Sequence, residues 1–196
     1  MEKTHVNDVY DEIAEHFADT RFCVWNMVRH FLENKSELKG LDVGCGNGKN
    51  ILYPLNMIGL EKCKKLVDIC TSKNLNVVEG DCCELPFENN SFDYLICIAV
   101  FHHLDSIERR KKAINEFKRV VKKGGEILVS VWSYENQESK RNFHPGDNLV
   151  PWRRQKDKKI FNRYYHIFSE QMIRSYFPNA EKIYNERGNW VVEFKV

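Results

Sequence analysis

Three groups of residues in this sequence have the types and spacing to do chemistry. The first is Leu41-Asp42-Val43-Gly44-Cys45-Gly46-Asn47-Gly48-Lys49, an apolar strand running into glycine at alternate positions. Glycine lets a ligand lie directly on the main chain. A helix expected from about Lys49 would turn its unpaired N–H groups to the ligand's polar end. The spacing is G-x-G-x-G, not the G-x-G-x-x-G of dinucleotide binders. Glu61 closes the next apolar stretch, Met57-Ile58-Gly59-Leu60, and is placed to accept both hydroxyls of a ribose. Asp81 follows a short strand at 76–79 and is placed to accept from an adenine amino group, with Leu85-Pro86-Phe87 beside it to pack on the ring. Together these describe a pocket for a nucleoside cofactor.

The second group is Phe101-His102-His103-Leu104, at the end of the nearly continuous apolar run 91–100. Ligands in open α/β sheets bind beyond the carboxyl ends of the strands, so both histidines fall near the expected chemistry. The third is the stretch 135–163, where periodicity disappears. Lys140, Arg141, Arg153, Arg154, Lys156, Lys158, Lys159 and Arg163 outnumber Asp147 and Asp157 there, with Phe143, Trp152 and Phe161 interleaved. Cations attract phosphate and aromatic rings stack on unpaired bases, so this stretch reads as a basic loop that contacts nucleic acid.

The elements that must position these groups alternate between strand and helix. Val9, Tyr10, Ile13, Ala14 and Phe17 recur at helical spacing, and a second helix runs through Val28 and Phe31-Leu32. Between them Arg21 and Trp25 fall where a preamble can cross the cofactor; Trp25 also reads as a core anchor. Helices follow at 63–73 and 108–121, the latter closed by Lys122-Lys123-Gly124-Gly125. A fifth strand, 126–132, ends in Val131-Trp132-Ser133. Ser169 and Glu170 can start a helix that Pro178 stops. Lys182–Glu186 and 190–196 read as a closing hairpin through Arg187-Gly188-Asn189. The fold class is α/β: one Rossmann-like domain over 1–196, with a helical preamble (1–36) and the basic insertion. Its sheet is seven-stranded and mostly parallel, with an antiparallel last strand and helices on both faces.

Composition narrows the partners. A net charge of +2 over 196 residues does not by itself imply nucleic acid, and no apolar run is long enough to cross a bilayer, so no membrane association is expected. The N-terminal decapeptide lacks the apolar core of a signal peptide. The seven cysteines are odd in number, sit mostly within apparent core elements and form no C-x-x-C pair. That pattern suits reduced thiols in a cytoplasmic or also nuclear protein, with no metal site of its own.

The glycine loop with Glu61 resembles the S-adenosylmethionine site of Rossmann-like methyltransferases. The likeness goes further. Val9-Tyr10-Asp11-Glu12-Ile13-Ala14 with Thr20-Arg21-Phe22, then His102-His103 followed by Glu108-Arg109-Arg110, resemble the eukaryotic wobble-uridine tRNA methyltransferases of the Trm9 and AlkB-homologue-8 methyltransferase-domain family. So do Val150-Pro151-Trp152, Arg163-Tyr164-Tyr165-His166 and Glu186-Arg187-Gly188-Asn189-Trp190. The basic stretch is shorter here than in fungal members. The Arg-Gly-Asn-Trp-Val ending lacks the acidic residue before Asn and the second Trp that members often carry.

The resemblance implies methylation of the carboxylate of 5-carboxymethyluridine at the tRNA wobble position, giving the methyl ester. It implies S-adenosyl-L-methionine as cofactor, held by Asp42, Gly44, Cys45, Gly46 and Gly48, with Glu61, Asp81, Cys82 and Ala99. It also implies a small zinc-binding activator of the Trm112 type, which we expect to pair with the edge strand 76–79, and the tRNA anticodon loop as substrate. His102, Arg21, Tyr164, Arg187 and Asn189 are the candidates for holding the carboxymethyl group or anticodon phosphates, with Trp132 and Tyr165 walling or stacking the base. Two other readings share the cofactor motifs: a small-molecule methyltransferase of the quinone-biosynthesis kind, and a non-catalytic cofactor-binding scaffold.

Overall fold

The computed structural model describes residues 1–51, 56–135, 143–155 and 157–196. A run of Leu, Ile, Val and Cys leaves a strand no polar face, so it must be covered on both sides. Strands β1 (Gly40–Val43) and β4 (Phe92–Ile98) are such strands, every residue buried except Asp93. With β2 (Met57–Glu61), β3 (Val77–Glu79) and β5 (Val121–Trp132) they form the parallel part of the sheet. Strands β6 (Gly146–Arg153) and β7 (Ile160–Ile167) pair with each other as a separate two-stranded sheet. The closing hairpin is β8 (Lys182–Glu186) and β9 (Asn189–Lys195), and β9 joins the main sheet antiparallel to β5. The seven-stranded order is β3-β2-β1-β4-β5-β9-β8.

That order reverses direction between β1 and β4, which opens a crevice at their carboxyl ends. The glycine loop leaves β1 and the two histidines leave β4, so both are delivered to the same crevice. One face of the sheet packs on Phe101, Phe117, Phe168 and Phe177; the other packs on Met27, Val28 and Phe31 of helix α2. The helices are α1 (Asp8–Asp19), α2 (Asn26–Leu32), α3 (Lys64–Ser72), α4 (Ile107–Val120) and α5 (Glu170–Tyr176). Ser106 caps α4 by accepting from the Arg109 amide, and Ser169 caps α5 by accepting from that of Met172.

The structure departs from the sequence reading in three places. Of the helix expected from about Lys49, the described residues 49–51 are turn, and 52–55 lie outside the described residues. Only 13 residues separate β1 from β2, and the glycine loop uses the first of them. Lys122-Lys123-Gly124-Gly125 does not cap α4. Val121 is already extended (φ −86°, ψ 138°), and those residues form an irregular start to β5.

The third departure is the basic stretch. Its described residues are the β6–β7 hairpin rather than a loop; Lys140, Arg141 and Lys156 lie outside the described residues. Trp152 and Phe161 pack on Val9 and Ile13 of α1, and Phe143 packs on Trp132, so these rings do not stand free among the cations. Alternate residues of β7 reach different layers: Arg163 and Tyr165 turn to the crevice, Tyr164 and His166 to the opposite side, where both meet Asp147.

Candidate active site

At the crevice lies a cavity of about 320 Å³. Its first half is built on the glycine loop. Gly44 and Gly46 have φ of +71° and +59°, a conformation that side chains resist. A Cβ on Gly44 would sit 2.3 Å from Val100, whereas one on Gly46 would meet only Phe17, at 3.4 Å. The Gly46 main chain therefore forms an open cradle in the cavity wall. Glu61 closes that wall. One carboxylate oxygen accepts from the Gly46 amide at 2.9 Å, the other from the Lys62 and Cys63 amides at 2.9 Å each. Burial raises its pKa and these three N–H groups act against the rise. Asn47 donates to the Ala18 and Arg21 carbonyls at 2.9 and 2.6 Å, which ties the loop carrying Arg21 across the mouth.

Beneath the glycine loop Asp42 is buried. One oxygen accepts from Asn50 at 3.2 Å and the other has no partner; the Asn50 carbonyl oxygen has none either. Burial pushes the Asp42 pKa up to about 7, against the pull of Asn50 and nearby Lys49. Asp81 is in the opposite situation. Burial works to raise its pKa, but the Cys83 amide, Lys62 and Arg109 overcome it and hold the carboxyl well below the usual range. Arg109 reaches both Asp81 oxygens at 2.9 Å and also Glu2 at 2.7 Å. Ala99, in the cavity floor between the halves, is held at φ +59°, a strained position for a residue with a Cβ.

The second half holds the histidines. The Trp132 amide donates to His102 Nδ1 at 3.1 Å, so the His102 proton sits on Nε2. Burial, His103 and Arg163 push its pKa well below the usual value, against the pull of the Ala99 carbonyl, so the ring is neutral. His103 is the opposite tautomer: Nδ1–H donates to the Tyr164 carbonyl at 2.8 Å, and Nε2 accepts from the Tyr10 hydroxyl at 3.1 Å. Burial lowers its pKa to about 3. Trp132 and Tyr165 stack on each other, centroids 4.2 Å apart and planes 20° apart. Arg163 lines the same half, 6% exposed, with its guanidinium carbon 5.1 Å from the Tyr165 ring centre.

Residues 41–129 match the model of a methyltransferase domain. The chain is 34% identical over 223 aligned positions to the tRNA (carboxymethyluridine(34)-5-O)-methyltransferase of Schizosaccharomyces pombe, covering 99% of this chain and 97% of that one. The chain belongs to the Trm9 family of methyltransferases. The Arabidopsis thaliana member of the same description is 45% identical over 142 residues, 71% of this chain and 35% of its own length. Among solved structures, a Haloferax volcanii methyltransferase in complex with the Trm112 methyltransferase activator has a TM-score of 0.68 at 17% identity, with 96% of each chain covered. A Methanosarcina mazei S-adenosylmethionine-dependent methyltransferase also scores 0.68, at 18% identity over 87% of this chain and 96% of that one.

In this Trm9-family chain the cavity brings together Gly44, Cys45, Gly46, Glu61, Asp81, Cys82 and Ala99 with Arg21 and His102. Asp42 and Gly48 do not line it; they support the glycine loop from behind. Asp81 lines it, but both its oxygens already accept from Arg109, which differs from the adenine contact expected of it. Tyr164, Arg187 and Asn189 do not line it either. The Tyr164 hydroxyl donates to Asp147 at 2.7 Å, on the other side of β7. Arg187 is exposed at the β8–β9 turn. The Asn189 amide is spent on the Glu186 and Arg187 carbonyls within that turn. Asn47 and Arg163 also line the cavity, beyond the residues expected to hold cofactor or carboxylate; Arg163 stands one position before Tyr164 in Arg163-Tyr164-Tyr165-His166, which gives no local sign of which residue faces the crevice.

Proposed function

We propose that the protein transfers the methyl group of S-adenosylmethionine to the carboxylate of 5-carboxymethyluridine at the wobble position of tRNA. The observation that carries this is a single cavity with a nucleoside-cofactor half and a cationic, aromatic half. The described residues fit the cofactor. The open cradle at Gly46 takes main-chain contact, Glu61 presents carboxylate oxygens at the end of β2, and the unpartnered side-chain oxygen of Asn50 in the cavity wall, with the Asp42 carboxyl behind it, suits an ammonium group. When bound, S-adenosylmethionine supplies an electrophilic methyl on a sulfonium.

A carboxylate is ionised near neutral pH, so the acceptor needs no general base. The chain must orient it and exclude water. Neutral His102 offers Nε2–H as a hydrogen-bond donor and does not compete for a proton. Arg21, tied over the mouth through Asn47, adds a positive charge where a phosphate or carboxylate enters. Trp132 and Tyr165 give a flat apolar wall for a base.

A Trm112-type activator fits the edge of the sheet. Strand β3 pairs only with β2, and its other side has no strand among the described residues. Such an edge is a template for strand addition.

The test is labelled S-adenosylmethionine with tRNA bearing carboxymethyluridine, with and without the activator. The expected product is a wobble-base methyl ester, resolved by mass. No ester in either case, with cofactor binding intact, overturns the reading in favour of a small-molecule substrate or a non-catalytic role.

A further inference from the structure

We propose that Arg163 is the residue that receives the substrate carboxylate, and that its charge makes the enzyme select the free acid and discard the neutral ester. The inference rests on the function proposed above and deepens it.

Arg163 is almost fully buried, its Nε has no hydrogen-bond partner, and no carboxylate pairs with it among the described residues. Arg109 pairs with Glu2 and Asp81, Arg119 with Glu116, Arg154 with Asp157 and Arg174 with Glu170; Arg110, equally buried and outside the cavity, donates to the Tyr176 hydroxyl and the Leu104 carbonyl, so its Nε is satisfied where that of Arg163 is not. Around Arg163 stand the hydroxyls of Tyr10 and Tyr165, which accept from it, the rings of Trp152 and Tyr165, and the imidazoles of His102 and His103; none is a carboxylate. A guanidinium taken out of water without a counter-ion is costly, and a fold keeps one when an anion arrives from outside to offset that cost.

The position supports the same assignment. Arg163 and Tyr165 turn from one face of β7 into the half of the cavity that holds His102 and Trp132. The remaining cations of the cavity are accounted for. Lys62 and Arg109 are neutralised by Asp81 and Glu2. Lys49 lies over Trp25 at the glycine-loop end. Arg21 is half-exposed at the mouth and donates to Thr20. Among the described residues Arg163 is the cation of the half holding His102 and Trp132 that is both desolvated and without a paired anion, which is where a charge-assisted hydrogen bond is strongest.

The chemistry gives that bond a second use. An O–C bond forms at one carboxylate oxygen, the sulfonium S–C bond breaks, and no proton moves. The acceptor loses its negative charge in the step. A guanidinium that holds the acid through one oxygen leaves the other free to attack, and then faces a neutral ester that it holds weakly.

The experiment measures binding of anticodon stem-loop RNAs to the protein with its activator and S-adenosylhomocysteine. The RNAs carry carboxymethyluridine, carbamoylmethyluridine or the methyl ester at the wobble base. The wild type is expected to bind the acid at least 10-fold more tightly than the amide or the ester. Arg163→Met is expected to bring the three within about 2-fold, with affinity for S-adenosylhomocysteine unchanged; Arg163→Lys keeps the charge and should lie between. Arg163→Met that keeps the wild-type preference overturns the proposal. So does a wild type that binds acid and amide equally, which needs no variant to fold. A wild type that binds none of the three RNAs and forms no ester fails the functional reading instead.

Discussion

His102 and His103 are neighbours in sequence with ring centroids 4.6 Å apart, yet they carry their protons on opposite nitrogens. The Trp132 amide fixes one tautomer and the Tyr164 carbonyl fixes the other. The pair therefore splits into a donor for the cavity and a strut between α1 and β7. His102→Asn keeps an acceptor for the Trp132 amide and removes the Nε2–H. We expect turnover to fall about 10- to 100-fold, the worth of one hydrogen bond to a charged group, with cofactor affinity within about 2-fold. Single-turnover kinetics with a separate cofactor titration checks this; a matching loss of cofactor binding would remove His102 from the substrate half.

His103 should shape the acid limb of stability. Its pKa is about 3 in the fold, against an unfolded value near 6.5. The folded state thus binds fewer protons than the unfolded chain between those values, and stability falls as pH drops through that window. The contribution is about 1.4 kcal/mol per pH unit for one proton. His103→Asn retains a donor for the Tyr164 carbonyl and should flatten the slope between pH 6 and 4 in urea unfolding.

Asp42 should act with the opposite sign. Its folded pKa is raised to about 7, so the fold holds a proton that the unfolded chain has already released, and stability falls as pH rises from 4 to 7. Asp42→Asn should raise the ligand-free stability at pH 8 and flatten that slope. Removing the charge should also weaken cofactor binding by about 10- to 100-fold. Thermal unfolding at several pH values and calorimetric titration read the two effects separately.

The outer edge of β3 can be tested without disturbing its inner one. Gly59 N–H donates to the Asn76 carbonyl and Gly80 N–H to that of Glu61, so by alternation Val77 and Glu79 point their main chain outward. Glu79→Pro removes an outward donor. We expect it to abolish co-purification with a Trm112-type activator and to leave the cofactor affinity of the isolated chain unchanged. Retention of the complex would move the interface elsewhere.

Strands β1 and β4 were legible because a strand covered on both faces has nowhere to put a polar residue. The β6–β7 hairpin was not, because Arg163 and His166 occupy inward positions and break the alternation that marks a strand. The same burial on both sides hides which half of Arg163-Tyr164-Tyr165-His166 faces the crevice, so the sequence alone does not tell Arg163 from Tyr164. The Asp81 carboxylate lines the cavity. Its neutralisation by Arg109 depends on where α4 lands, which no local spacing encodes.

The bond between His103 and the Tyr164 carbonyl locks the phase of β7 against the main sheet. An insertion between 154 and 159 lengthens a turn and leaves that phase alone. An insertion between 160 and 163 would slip it by one, exchanging the arginine for a neighbour of the wrong parity. Chain length in this hairpin is thus free on one side of Ile160 and fixed on the other, and lineages can vary the reach of the basic turn without retuning the chemistry beneath it.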